Sequence, residues 1–471
     1  MKGAVSSGHP LTTEAATEIL KKGGNAFDAV VAAGFASSVT EPTLTSLGGG
    51  GFCLVHRARD GERVLYDFFV NTPGLGIDDI KRPSLIPVDL RFKCTMQRFH
   101  IGMGSVAVPG MLRGLIDCCL DLCTMDMDDI IKPALRYLTE GVAVTEQQIY
   151  QLEILKPILT FSDYGREIFS LNSKGRLYNP LLKEFLSLCS PERWLEIFYD
   201  SGARRLHDMM RQHRALLSYE DMQNYRTIKR TPLRCVYRDT EIITNPPPST
   251  GGMLICAALR YMDRHDYNTL SRPERMLLRV RAMEEMFNVK SANAGTTHIS
   301  IIDSEGNAAS MTTSNGTGSG CFFPDTGIML NNMMGEDDLH PQGFFNSPPG
   351  IRVGSMMSPA FIMRNNEVHA ILGSGGSKRI RTAMLQVISN LIDEEMTVRE
   401  AVESPRIHLD DEGILQIEAG FNKEIIDYIK EHYRMNVWSE KDLYFGGVHT
   451  VMADFSGCGD PRRDGCYKRI D

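Results

Sequence analysis

Several features are missing from this 471-residue chain, and each absence removes a class of function. There is no run of about 18 uncharged apolar residues, so no segment reads as a membrane span. The opening Met1-Lys2-Gly3-Ala4-Val5-Ser6-Ser7-Gly8-His9-Pro10 lacks the apolar stretch of a signal peptide. Taken as it stands, it predicts a soluble, cytoplasmic protein. No Lys/Arg tract occurs, and 51 basic against 59 acidic residues leave a formal charge of −8. That balance argues against a nucleic-acid surface, which needs a basic footprint, and against a polybasic membrane patch. Gly-x-Ser-x-Gly, His-Glu-x-x-His and the Walker A loop are absent. The usual serine-hydrolase, zinc-protease and P-loop readings are thereby set aside. Repeats and low-complexity segments are absent as well.

What is present is ordinary globular composition, 42% hydrophobic and 23% charged. Length alone allows about three domains, or one large domain with insertions. Eleven cysteines are scattered, mostly in apolar runs such as Met253-Leu254-Ile255-Cys256-Ala257. They read as buried free thiols in preference to disulfides. Cys118, Cys119 and Cys123 share one helical pattern with no His nearby, so core packing is preferred to a metal cluster.

Local patterns give the organisation. Thr12 and Thr13 precede a helix over 14–22 stopped by Gly23-Gly24, and an Ala-rich helix follows over 26–38. The loop Ser46-Leu47-Gly48-Gly49-Gly50-Gly51 feeds strands at 52–57 and 63–70, joined through Asp60-Gly61. A strand is expected at 104–108 and helices from about 125 to 225. One strand at 235–244 leads to the stiff loop 245–252, and helix resumes over 253–289. Thr297-His298-Ile299-Ser300-Ile301-Ile302-Asp303 and 307–312 flank the turn Ser304-Glu305-Gly306, which predicts a hairpin. A second hairpin, 360–364 with 368–372, turns at Asn365-Asn366, and a helix and strands follow from 398 to 451. Sheets with helices, mostly antiparallel, predict an α+β layered fold.

The chemistry has few candidates. Gly316-Thr317-Gly318-Ser319-Gly320 and Gly373-Ser374-Gly375-Gly376-Ser377 are glycine-rich, but a dinucleotide fingerprint needs a glycine where Cys321 stands. Such loops also present N–H groups to an oxyanion, a use that requires a nucleophile. Thr296 follows the small-residue run Ser291-Ala292-Asn293-Ala294-Gly295 and opens a strand. A threonine hydroxyl needs a base, and its own α-amine serves once the preceding bond is cut. Gly295 leaves the scissile carbonyl uncrowded. The competing reading of Thr296-Thr297 is plain β-propensity.

Thr296 to Ala308 resembles the small-subunit start of the γ-glutamyltranspeptidase family of N-terminal nucleophile hydrolases. Matching segments run in family order along nearly the whole chain: 24–29, 47–52, 106–110, 247–252, 327–332, 373–376 and Gly459-Asp460-Pro461-Arg462-Arg463. The resemblance implies a four-layer αββα fold and cleavage between Gly295 and Thr296. It further implies a large subunit of residues 1–295 and a small subunit of 296–471 that stay together as one domain. The implied activity is hydrolysis or transfer of a γ-glutamyl group, from a small donor such as glutathione to water, an amino acid or a peptide, with no metal or organic cofactor. Carried over by position, Thr296 is the nucleophile and Ser314 the hydroxyl that hydrogen-bonds it. Gly375 and Gly376 supply the oxyanion hole, with a one-residue ambiguity towards Ser377. Asn315, Glu336 (or the adjacent Asp337) and Ser355 bind the donor, while Met356 replaces the second of the family's paired serines.

Two departures stand out. Phe69 occupies the place of the family's carboxylate-binding arginine and forms no charge-assisted pair. Either Arg352 or Arg379 substitutes for it, or the donor differs, as in a side-chain acylase. In addition, only 43 residues separate Gly252 from Thr296, fewer than the family usually has. Part of the helical layer or of the linker before the cut is expected to be missing, and an unprocessed, non-catalytic protein is the rival outcome.

Overall fold

A computed structural model describes residues 2–78, 82–91, 96–288, 295–340 and 343–471. Two sheets dominate this mixed α+β chain. The first has seven antiparallel strands in the order Cys466–Ile470, Gly3–Ser7, Thr297–Asp303, Ala308–Ser314, Gly50–Arg57, Glu62–Phe68 and Ile228–Arg230. The second has six, in the order Gly457–Cys458, Gly447–Met452, Glu367–Gly375, Ala360–Arg364, Thr240–Thr244 and Leu233–Tyr237. Thr297–Asp303 and Ala308–Ser314 lie against Glu367–Gly375, so the two sheets meet face to face.

Strand alternation explains what each face carries, because successive side chains point to opposite sides. Ile299, Ile301, Ala309 and Met311 join the apolar cluster formed with helix Ala26–Thr40. That helix is buried all round, and Asn25 caps it reciprocally with Asp28. The intervening residues face the second sheet and are polar: Ser300 Oγ donates to the His449 carbonyl and Ser310 Oγ to that of Leu372. Buried hydroxyls are tolerated there because each has a partner. On the far side of the second sheet, helices Gly251–Asp263, Arg272–Glu284 and Arg379–Ile392 bury Ile255, Leu259, Met384 and Ile388.

Several sequence expectations are corrected. No strand forms over 104–108: Met103–Ser105 make a 3-10 turn, the Ala107 N–H is taken by Asn331 Oδ1 at 3.0 Å, and Val108 makes a single bridge to Asn71. The strand expected at 235–244 is a hairpin, Leu233–Tyr237 with Thr240–Thr244, turning at Arg238 with φ +52° and no glycine to announce it. The helix expected over 253–289 is two, the second started by a capping box of Ser271 and Glu274. Together they cover the second sheet, so the short segment before Thr296 retains a helical layer. Ser291-Ala292-Asn293-Ala294 lie outside the described residues. Cys235 and Cys256 are disulfide-bonded, Cα atoms 6.0 Å apart, which overturns the free-thiol reading for that pair. Eight other described cysteines remain free thiols. No helix among the described residues is long and apolar enough to cross a membrane.

Candidate active site

The first hairpin brings the 295–296 junction and its neighbours together. Thr296 immediately precedes strand Thr297–Asp303 and is 3% exposed. The ladder that pairs Thr297 with Thr313 places Ser314 beside the 295–296 peptide. There the Ser314 hydroxyl donates to the Gly295 carbonyl and accepts the Gly316 N–H at 3.0 Å. Ser314 thus reaches the carbonyl oxygen of the 295–296 peptide. The glycine-rich loop from Ser46 supports it from behind: a Cβ on Gly49 would stand 2.2 Å from the Ser314 carbonyl oxygen, so only glycine fits.

Face-to-face packing delivers the second sheet to the same point. Gly375 ends strand Glu367–Gly375, and a Cβ there would lie 2.2 Å from the Thr296 carbonyl oxygen. Gly376 follows with φ +128°, a conformation open to glycine. Thr296, Ser314, Gly375 and Gly376 are thus brought close to one another. Asn315 is 2% exposed, its backbone N–H donates to Leu44, and its side-chain amide has no hydrogen-bond partner in the protein. Of the two acidic alternatives, Glu336 is buried at 2% exposure and accepts the Thr317 N–H at 3.3 Å, while Asp337 is exposed. Ser355 serves the fold: its carbonyl accepts the Thr250 and Gly251 N–H groups and its hydroxyl that of Met357.

An open cleft of about 660 Å³ is lined by Gly295, Gly316 and Thr317 together with Ser377, Arg379 and Arg463. Phe99, Ile154, Leu155 and Leu443 form its apolar walls. Phe69 is absent from it: 1% exposed, the ring stacks on Phe52 at 5.5 Å inside the core. Arg352 does not replace the family arginine either. Its Nε pairs with Asp67 at 3.1 Å, and its remaining nitrogens donate to the Asp67, Phe69 and Arg226 carbonyls and the Tyr225 hydroxyl. Arg379 does reach the cleft.

Arg463 was not assigned a role from sequence. Its Nη1 lies 3.5 Å from the Thr296 carbonyl oxygen and its Nη2 donates to Leu443. Burial lowers its pKa to about 10, and the charge of Arg379 pushes the same way against Asp460 and Asp442. The only hint in the sequence was the second arginine of Asp460-Pro461-Arg462-Arg463.

Behind the junction, Glu41 follows helix Ala26–Thr40 and accepts hydrogen bonds from Thr297 (2.5 Å) and Thr12 (2.8 Å). Burial raises its pKa from an ordinary 4.5 to about 7; the Thr297 and Thr12 hydroxyls and Arg463 oppose this, and Asp464 adds to it. The fold therefore holds a proton that the unfolded chain releases, and stability from this group is lost as pH rises from about 4.5 to 7. The loss amounts to about 3 kcal/mol. Glu41→Gln in a Thr296→Ala background, where one chain unfolds, is expected to gain on its parent as pH rises from 5 to 8. Thermal midpoints at the two pH values check this; a gap independent of pH sinks it.

The residue geometry agrees with three comparisons. A sequence model described as Gamma-glutamyltranspeptidase matches residues 12–294 and 281–469. The Acylase ACY 1 proenzyme of Pseudomonas sp. (strain SE83) is 29% identical, covering 88% of this chain and 84% of the relative. The Glutathione hydrolase proenzyme of Escherichia coli (strain K12) is 26% identical over 98% of this chain and 90% of its own. The crystal structure of cephalosporin acylase from Bacillus halodurans superposes with a TM-score of 0.83, at 21% identity, over 100% of this chain and 96% of that one. At that identity the likeness speaks for the fold. Family pattern, fold and the grouping around Thr296 lead to one assignment: the chain belongs to the γ-glutamyltranspeptidase family of hydrolases.

Proposed function

We propose that this chain is an autoprocessing amide hydrolase and acyl transferase with Thr296 as nucleophile, built on the four-layer αββα arrangement. The observation that carries the reading is the Ser314 hydroxyl on the Gly295 carbonyl, beside Thr296. Thr296 Oγ attacks the Gly295 carbonyl carbon, and Ser314 holds the developing oxyanion. The C–N bond breaks with transfer of the Oγ proton to the leaving nitrogen, and water opens the resulting ester. The freed α-amine of Thr296 then serves as base for attack on a donor amide. Gly375 and Gly376 N–H groups hold the second oxyanion, and the acyl-enzyme passes to water or an amine. Neither step requires a metal or organic cofactor.

γ-Glutamyl amides such as glutathione are the donors in the first form of this reading. A second form, a side-chain acylase, is favoured by the apolar walls of the cleft and by Phe69 in the core. Mass spectrometry of the purified protein tests the common part: two chains, the smaller starting at Thr296, are expected, and a single uncut chain overturns it. Turnover of γ-glutamyl-anilide against plain acyl-anilides then separates the two forms. Ser314→Ala is expected to slow the cut about 100-fold, the usual cost of one oxyanion donor. A time course of precursor decay reads this, and an unchanged rate removes Ser314 from the step.

A further inference from the structure

The strand that begins at Thr297 is fastened behind the 295–296 junction by one carboxyl group. Glu41 caps the C-terminus of helix Ala26–Thr40 at 2% exposure, with Oε2 taking the Thr297 hydroxyl at 2.5 Å and Oε1 the Thr12 hydroxyl at 2.8 Å. Its main chain serves the same neighbourhood. The Glu41 carbonyl accepts the Leu44 and Thr45 N–H groups, and that turn brings the Leu44 carbonyl to the Asn315 N–H and the Thr45 hydroxyl to that of Thr313. Gly8 keeps the space around the carboxyl open: a Cβ there would stand 2.6 Å from Thr297 Oγ1, 2.8 Å from Glu41 Oε2 and 3.4 Å from His449 Nε2.

The 296–297 peptide is therefore held from two sides. Gly375 and the Arg463 guanidinium lie against the Thr296 carbonyl oxygen, and Glu41 takes the next side chain. Attack by Thr296 Oγ depends on where that peptide sits, since a displacement of about 1 Å can cost about 100-fold in rate. A cut would also free Thr296 from its neighbour on the amino side, and the Thr297 anchor would remain to hold it.

We propose that Glu41 is a positioning residue for Thr296, acting through Thr297, and that its proton governs how firmly the nucleophile is held. The proposal deepens the autoprocessing reading and rests on it for the cut. An ionised carboxylate only accepts, so Thr297 and Thr12 both donate to it and the bonds are charge-assisted. Once protonated, the carboxyl donates to one of the two hydroxyls, which must turn round, and both bonds fall to neutral strength. Burial and the negative end of the helix favour the protonated form; Arg463 opposes this and Asp464 adds to it. His449, whose Nδ1 accepts the Asp460 N–H, stays neutral above pH 5 because burial lowers its pKa to about 4. His9, at the head of the helix that carries Thr12, is lowered to about 4 in the same way. Asp464, bound to the Thr145 hydroxyl, is the other carboxyl raised by burial here.

The test follows pulse-labelled chain from cell-free synthesis as it is cut at Thr296 between pH 5 and 8. The ratio of the wild-type rate to that of Glu41→Gln is expected to rise about tenfold across this range, the scale that separates a hydrogen bond to a charged group from a neutral one. Its midpoint falls near pH 7. Thr297→Ser and Asp464→Asn keep that step, and Thr297→Val loses it. A ratio constant with pH marks a merely structural role and overturns the proposal, as does a wild-type profile in Thr297→Val. Thermal midpoints in the Thr296→Ala background confirm that each variant folds. In that background, hydrogen exchange of the peptide spanning residues 296–300 reads the anchor with no cut at all. Glu41→Gln is expected to lower its protection against the parent at pH 8 and to leave it equal at pH 5. A wild-type chain that never cuts ends the autoprocessing reading. Exchange then decides on Glu41 by itself, and equal protection at both pH values overturns the anchor.

Discussion

Thr296→Ala is expected to give a single 471-residue chain with amide-hydrolysing activity reduced about 10⁴-fold or more, the scale seen when a nucleophile is removed. The loss is large because the proposed mechanism gives one residue two tasks. Its hydroxyl makes the bond to the acyl carbon, and its amine, available after the cut, accepts the proton. Alanine removes the first and, by blocking the cut, withholds the second. Thr296→Ser keeps both groups and is expected to retain cleavage. Intact-mass measurement and anilide turnover on the same preparations check the pair. A Thr296→Ala chain that still cuts at the same bond would transfer the nucleophile's role elsewhere, with Ser314 the nearest hydroxyl on that carbonyl.

Asp460→Ala is expected to cost about 3–5 kcal/mol of stability, the range for breaking a buried ion pair from one side. Asp460 pairs with Arg406 at 2.5 Å and Arg462 at 3.2 Å, and Arg462 in turn pairs with Glu418 at 2.5 Å, all in the interior. Burial alone would raise the Asp460 pKa, but Arg406 and Arg462 prevail and hold it at about 2 against an ordinary 3.8. The ionised form is therefore favoured by folding. That stability, about 2 kcal/mol, is present above pH 3.8 and lost as pH falls through 2. Without Asp460, the buried Arg406 guanidinium loses its ion-pair partner. Activity should fall too, because the turn from Asp460 positions Arg463: the Arg463 N–H donates to the Asp460 carbonyl at 3.2 Å. Denaturant unfolding in the Thr296→Ala background measures the first effect; a loss under 1 kcal/mol would contradict it.

The hairpin that carries Thr296 was legible because its strands alternate cleanly and Ser304-Glu305-Gly306 marks the turn. Gly375 and Ser314 were legible through resemblance, since 79 and 18 residues of chain separate them from Thr296 and no local rule joins them. Arg463 reaches Thr296 across 167 residues, and that contact depends on the turn fixed by a buried carboxylate. Arg352 misled for the same reason. Sequence displays an arginine of suitable charge, and only the packing reveals that Asp67 holds it. The disulfide likewise joins a strand to a helix 21 residues on, a pairing set by how the helix lies on the sheet.

The strand order has a consequence for the life of the protein after a cut at Gly295. Gly3–Ser7 would belong to one fragment while both strands flanking it, Thr297–Asp303 and Cys466–Ile470, belong to the other. Neither fragment owns either of the two large sheets complete, so the severed halves hold each other by shared ladders and cannot separate without dismantling both. Folding must therefore precede scission. Once scission has happened, regaining the native state from the unfolded one becomes a meeting of two molecules where it had been the act of one, and the enzyme's durability comes to depend on how slowly it opens.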